Sequence, residues 1–479
     1  MRFVRARVGG DDFLPSVTTL VSGTTLALGL TYLARPVLTR LYTPEMFGIL
    51  GVFAALIAVL TTVSSGRYDD AVMLPKEDKK SREVVFLSLS ILVGLSLLTI
   101  PIAIFRTPIA ESLRAPELAP YLLLVPISLL CAGTIRLLEV WLTRQKRFRS
   151  IAGGRTTQSA TAVPIQLAVG FRHASPWGLI GGLVLGQAAA AMMLTALSWR
   201  RISEGGLPAW KNLRAQAGRY RDFPMFSGPS ALLNSMSSQL PAFLLFFFFD
   251  AAVVGHYAQA YALLAVPIGL VGTSVAQVYF EKAARCRTEG GLDALTVRVY
   301  RRLFEIGLFP MMAVIIAGPD VIEFVLGADW RTAGIYAQWL AVWLLLVFVA
   351  SPMTRLFDVL EKLRANLAFN ALLFAVRASV LVACGFLGRP LLAVALYGMA
   401  SALMYLGLLV WLFALARVSL TPVVRLAART LVLATLPSVA LGAGVAYGLS
   451  PGLVFGLACL AGLLYGAGLL WAQGREVHA

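Results

Sequence analysis

Residues 39–80 read TRLYTPEMFGILGVFAALIAVLTTVSSGRYDDAVMLPKEDKK. Between the lightly charged TRLYTPEMFG and the charge-dense GRYDDAVMLPKEDKK lies an almost purely apolar run of about eighteen residues, close to the length an α-helix needs to cross hydrocarbon. Runs of this kind recur along the whole chain. With 58% hydrophobic and only 14% charged residues, and a mean hydropathy of +0.79, the 479 residues carry too little polar surface to cover several soluble domains. Lipid cannot satisfy free backbone groups, so the apolar runs are predicted to be helices of an all-α integral membrane protein.

The pattern predicts about fourteen transmembrane helices, at 13–34, 47–65, 84–105, 120–141, 150–171, 177–198, 225–249, 256–280, 303–326, 333–351, 367–386, 391–415, 430–449 and 452–472. An even number places both termini on one side. With that side cytoplasmic, Lys and Arg outside the spans divide 31 to 7 in its favour. This is the positive-inside asymmetry, and it makes TRLYTPEMFG an outer turn and GRYDDAVMLPKEDKK an inner one. The net charge of +17 is then explained by inner loops facing anionic headgroups, and calls for no nucleic acid. The four cysteines form no CxxC pair and the three histidines lie far apart, so neither a disulfide framework nor a metal site is expected. A nucleotide-binding glycine loop is absent as well, and the chemistry expected is transport without a cofactor.

The longest connection of the first half, 199–224, is punctuated by Gly and Pro, and its LPAWKNLRAQAGRY reads as a basic amphipathic helix at the inner surface. It divides the chain into an N-terminal lobe (1–198), a cytoplasmic linker (199–224), a C-terminal lobe (225–415) and a terminal helix pair with tail (416–479). Faint similarities link the halves, as in YTPEMFGILGVFAAL and FDAAVVGHYAQAYALL, about 207 residues apart. They predict two pseudo-symmetric six-helix lobes with a cavity between them.

An ionisable residue inside a span costs about 2.5–3.5 kcal/mol at the bilayer centre, so each is a candidate for function. Arg377 lies closest to mid-depth; it either binds an anion or bonds to carbonyls of a neighbouring helix. Arg136 and Arg155 sit near inner ends, where a long side chain can also snorkel, and Glu139 is three residues from Arg136 on the same helix face, suited to a local ion pair. Arg35 and Arg67 stand at span ends, as ligands or as interfacial anchors. Asp69 and Asp70 either pair with Arg67 and nearby cations to hold helix ends together or form a solvated turn. The first and seventh spans are lined with Thr18, Thr19, Ser22, Thr24, Thr25, Thr31, Asn234, Gln239 and further hydroxyls, a lining suited to a polyhydroxylated substrate or to helix contacts. Arginines among them add positive potential suited to phosphate.

ARPVLTRLYTPEMFGILGVFAALIAV, residues 34–59, followed by RYDDAVMLPKED, residues 67–78, resembles the opening of the polysaccharide-biosynthesis branch of the multidrug, oligosaccharidyl-lipid and polysaccharide exporter superfamily, which includes the O-antigen and exopolysaccharide flippases. The resemblance continues through the two-lobed layout and the terminal pair. It implies a MATE-like fold in a bacterial inner membrane and a flippase carrying an oligosaccharide on undecaprenyl pyrophosphate through a cationic central cavity. It also implies coupling to an ion gradient or the membrane potential, and polysaccharide polymerase and glycosyltransferases of the same pathway as partners. In the related lipid II flippases the final helix pair forms a lipid-facing groove. An ion-coupled multidrug exporter of the same fold is the alternative, and a membrane polysaccharide polymerase or ligase ranks below both. An exporter of cations needs buried carboxylates, and a polymerase usually a large outer loop.

Overall fold

The computed structural model describes residues 28–112, 115–204, 206–266, 268–360 and 362–477. It forms two compact units that meet in sequence at Phe247 and Phe248. In the first unit, α1 (28–41), α2 (Pro44–Val63), α3 (Asp78–Ile104), α4 (Pro116–Arg144), α5 (Phe148–His173) and α6 (Pro176–Ile202) precede the short α7 (Trp210–Arg219) and α8 (Phe223–Phe248). The second holds α9 (Ala251–Leu264), α10 (Thr273–Glu289), α11 (Leu292–Leu326), α12 (Ala328–Val359), α13 (Arg364–Phe386), α14 (Pro390–Leu415), α15 (Leu420–Ala446) and α16 (Pro451–Val477). Among the described residues there is no strand, and eleven helices are long and apolar enough to cross a membrane.

The predicted spans at 150–171 and 256–280 fall on α5 and on α9 with α10, which carry more polar residues. The first, 13–34, lies mostly outside the described residues, together with Thr18, Thr19, Ser22, Thr24 and Thr25. The protein is a multi-pass membrane protein. Its surface fits that reading: large apolar side chains such as Val432 and Leu436, 70% and 81% exposed, stand outward where lipid would cover them.

Close helix contacts rest on small residues. At Gly186 of α6 a Cβ would come within 2.6 Å of the Gln158 carbonyl oxygen on α5, and at Gly398 of α14 within 2.5 Å of the Trp339 carbonyl oxygen on α12. Lipid gives no hydrophobic drive to helix association, so this proximity supplies the dispersion contacts that hold the bundle. A kink in α11 is repaired in a similar local way. Pro319 has no N–H to offer the carbonyl four residues back, Ala317 leaves helical geometry, and Gln338 of α12 donates to the freed Ile315 carbonyl at 2.8 Å.

The amphipathic segment expected in the linker is α7. It lies on α3, with Leu213 and Gln216 turned inward and Trp210 exposed. Its amides hold a buried carboxylate: Asn212 Nδ2 and Gln216 Nε2 donate to the two oxygens of Glu83 at 3.0 and 2.8 Å.

Candidate functional site

In the first unit, the turn between α2 and α3 gathers most of the candidate charges. Gly66 and Arg67 are successive residues with positive φ, 60° and 62°, which reverse the chain as it leaves α2. The reversal drops Asp69 into the bundle, 1% exposed, where Ser65 Oγ donates to it at 2.5 Å and Arg136 Nε of α4 at 2.6 Å. Asp70 pairs with Arg67 and lies 3.7 Å from Arg136. Tyr68 donates to the Ala217 carbonyl of α7 at 3.1 Å, and buried Ser81 of α3 donates to the Val72 carbonyl at 2.8 Å. The segment RYDDAVMLP thus ties α2, α3, α4 and α7 together through side chains that a solvated turn would leave free.

Burial, with the Asp69 carboxylate beside it, pushes the Asp70 carboxyl above its ordinary range, against the opposing pull of Arg67 and Arg136. A carboxyl raised in the folded state binds its proton more tightly there than in the unfolded chain. Its contribution to stability is therefore greatest below the ordinary carboxylate value and falls as pH rises through the raised one. Asp70→Asn is expected to remove that fall, leaving a protein at least as stable as the parent at neutral pH. Unfolding temperatures in detergent across the acidic range test this; an unchanged pH profile in the variant would refute it.

Glu139 does not pair with Arg136. Instead Arg155 of α5 grips it with two bonds, Nε to Oε1 at 2.8 Å and Nη2 to Oε2 at 3.2 Å. Spacing along α4 favoured the local partner, but Arg136 is drawn to Asp69 and α5 brings a planar fork to Glu139. Arg136 and Arg155 are thus engaged by carboxylates. Arg35 differs: its guanidinium lies over the Tyr32 ring at 4.9 Å, and its buried Nη1 has no hydrogen-bond partner in the protein. Arg67 likewise keeps a buried, unpartnered Nε. On α8, Asn234 is exposed and Gln239 half-buried.

In the second unit, Arg377 of α13 is 6% exposed and enclosed by aromatic rings. Its guanidinium carbon lies 4.7 Å from the Trp343 ring centre and 5.2 Å from that of Tyr397, while Nε donates to Ser401 Oγ at 2.9 Å. The cage continues outward, with the Tyr257 ring edge-on to Tyr397 at 6.2 Å between centres and Tyr261 stacked on Trp343 at 6.0 Å. Nη2 is buried with no partner in the protein, and no carboxylate of the described residues pairs with it. Ring faces compensate the cation by about 2 kcal/mol or more each when desolvated, yet leave the donor unused. Sequence reading found Arg377 but missed its enclosure. The signal was there: Tyr397, Ser401 and Tyr405 recur every four residues on one face of α14, and Tyr257 and Tyr261 repeat the spacing on α9.

The five candidate arginines therefore separate. Arg136 and Arg155 hold helices, whereas Arg35, Arg67 and Arg377 each retain an enclosed nitrogen with a proton to donate.

No curated protein sequence matches the chain. Among solved structures, the lipid II flippase MurJ in an inward closed conformation aligns with a TM-score of 0.73 at 12% identity, covering 97% of this chain and 100% of that one. An inward-facing multidrug resistance MATE family transporter of the MOP superfamily aligns with a TM-score of 0.59 at 15% identity, covering 83% and 96%. A MOP superfamily transporter from Pyrococcus furiosus, whose binding pocket is described as having reverse polarity, aligns at 0.54 and 14%, covering 84% and 96%. These likenesses establish the MOP-type transporter fold. The polysaccharide biosynthesis protein family model matches residues 37–334, more than half of the chain, and begins just before the TRLYTPEMFG turn. The chain belongs to the polysaccharide biosynthesis protein family.

Proposed function

We propose that the protein is a flippase that moves an undecaprenyl-pyrophosphate-linked oligosaccharide from the cytoplasmic to the periplasmic leaflet of a bacterial inner membrane. The observation that carries this reading is Arg377: a buried guanidinium cradled by rings, without a carboxylate, with an Nη2 donor left for an anion. Arg35 and Arg67 supply further donors of the same kind, and a diphosphate offers adjacent negative charges suited to forked recognition. The family membership and the fold shared with a lipid II flippase support the same substrate class.

An ion-coupled exporter of cations would need carboxylates ready to exchange ligand and ion. Here Asp69, Asp70, Glu139 and Glu305 are each engaged by arginine. Transport by alternating access of the two lobes, 1–198 and 225–415, needs no covalent intermediate or nucleotide, and an ion gradient or the membrane potential would bias it. Cells lacking the protein are expected to build the lipid-linked glycan and accumulate it, unpolymerised, in the inner leaflet. Normal surface polysaccharide in such cells would overturn the reading.

The proposed orientation places both termini in the cytoplasm. In a background without native cysteines, an impermeant thiol reagent added from the periplasm should label Ser112→Cys and spare Lys79→Cys, both exposed positions. Ser81, in the same inner turn, is too deeply buried to report on either side. The opposite labelling pattern would reverse the topology.

A further inference from the structure

Trp343 of α12 brings more to the Arg377 cage than a ring face. The residue is 4% exposed, and its indole Nε1, like Nη2 of Arg377, is buried with no hydrogen-bond partner in the protein. The two donors belong to side chains in contact, with the guanidinium carbon 4.7 Å from the indole ring centre. Burying an N–H without an acceptor is costly, and here that cost is incurred twice at one contact.

Both groups are held in place. The forked edge of an arginine consists of Nε and Nη2, and Arg155 uses both on Glu139. Arg377 uses only Nε, on Ser401 Oγ at 2.9 Å, so the second prong stays open beside an anchored first. Tyr397 meets the Trp343 ring edge-on at 5.4 Å between centres, and Tyr261 stacks on its other neighbouring surface at 6.0 Å. Tyr261 is 40% exposed, so the cage reaches the protein surface at that ring. Trp141 of α4 provides the contrast. Its Nε1 is also buried without a partner, but it lies in an apolar cluster, and among the described residues no guanidinium covers its ring.

We infer that Trp343 is a second anion-binding residue of the Arg377 site, its indole N–H and the open Nη2 donating together to one diphosphate. This rests on the proposed transport reading and deepens it. A diphosphate diester is ionised at neutral pH and only accepts hydrogen bonds, which suits a wall whose two unused groups both donate. Phospholipid headgroups and free phosphates share that acceptor chemistry, so the experiment separates the three.

The test is calorimetric titration of the purified full-length protein in detergent, with geranylgeranyl diphosphate as the probe. In one variant the Trp343 indole is exchanged for benzothiophene, which keeps the fused ring and puts sulfur in place of the N–H; Trp343→Phe is the second. Each should weaken diphosphate binding about ten-fold and leave binding of the neutral alcohol geranylgeraniol unchanged. The benzothiophene exchange at Trp141 should change neither. Phosphatidylglycerol or inorganic diphosphate at equal concentration should not displace the probe. Full diphosphate affinity in both Trp343 variants, with Arg377→Ala weakened, would overturn this inference and leave the transport reading standing. A parent protein that binds no diphosphate would overturn both. Equal loss of the alcohol, or a matching loss at Trp141, would show an effect of packing and also overturn the inference. So would displacement by either competitor, since the site would then belong to a resident phospholipid or a free anion.

Discussion

Arg377→Ala is expected to cut glycan export by roughly ten- to a hundred-fold at normal protein abundance. A charge-assisted hydrogen bond is worth about 1.5–3 kcal/mol, and each 1.4 kcal/mol is a factor of about ten in binding. The loss should exceed that of an ordinary core truncation because the guanidinium lies over the rings of Trp343 and Tyr397 with a buried donor left for a ligand. Arg377→Lys keeps the charge and the attraction of the rings but loses the planar fork, so it should retain an intermediate rate. The assay is surface polysaccharide measured alongside membrane abundance of each variant. Export at the parental level by Arg377→Ala would mean that this arginine only braces α13 against α14.

Asp69→Ala should destabilise the protein by about 3 kcal/mol, the lower end of the cost of breaking a buried ion pair by removing one partner. Arg136 would lose its 2.6 Å contact and Ser65 its acceptor, while Asp70, 3.7 Å from Arg136, takes over part of the charge. The expected signs are a lowered unfolding temperature in detergent and reduced abundance. The double variant Asp69→Ala/Arg136→Met should recover part of the loss, because no buried charge is then left unpaired. A single variant that unfolds within about 0.5 kcal/mol of the parent would show that the turn contributes no more than a surface substitution does.

Much of the architecture is legible in hydropathy, and the places where it is not have a common physical cause. Span prediction marks where the chain becomes apolar, whereas a helix begins where its backbone bonds begin. The predicted span at 430–449 corresponds to α15, which starts at Leu420, and the one at 303–326 to α11, which starts at Leu292. Arg298, Arg301, Arg425 and Arg429 thus lie outside the predicted spans, although they stand on α11 and α15. The segment predicted at 150–171 falls within α5, whose Arg155, Thr157 and Ser159 bond to residues of other helices.

The charged pairs divide along the same line. That Asp69 and Asp70 would find arginines was readable from RYDDAVMLP, since both lie within a few residues of Arg67. That Arg136 would serve them, and Arg155 would take Glu139, depends on the approach of α4 to its neighbours, which spacing within one helix cannot report. The ring cage of Arg377 was half-visible: the four-residue repeat on α14 marks a face, but nothing in the sequence says that α13 lies against it.

The central claim, that this chain carries a diphosphate-linked glycan across a bilayer without nucleotide, is tested most directly by reconstitution. Proteoliposomes holding the purified protein and an undecaprenyl-pyrophosphate-linked oligosaccharide would be treated with an impermeant reagent that consumes only outward-facing glycan. The account predicts that the protected inner pool disappears at a rate that rises with protein content, needs no ATP, and falls roughly ten-fold or more with Arg377→Ala. An inner pool that stays protected, at the level of protein-free liposomes, with correctly folded protein present would contradict it.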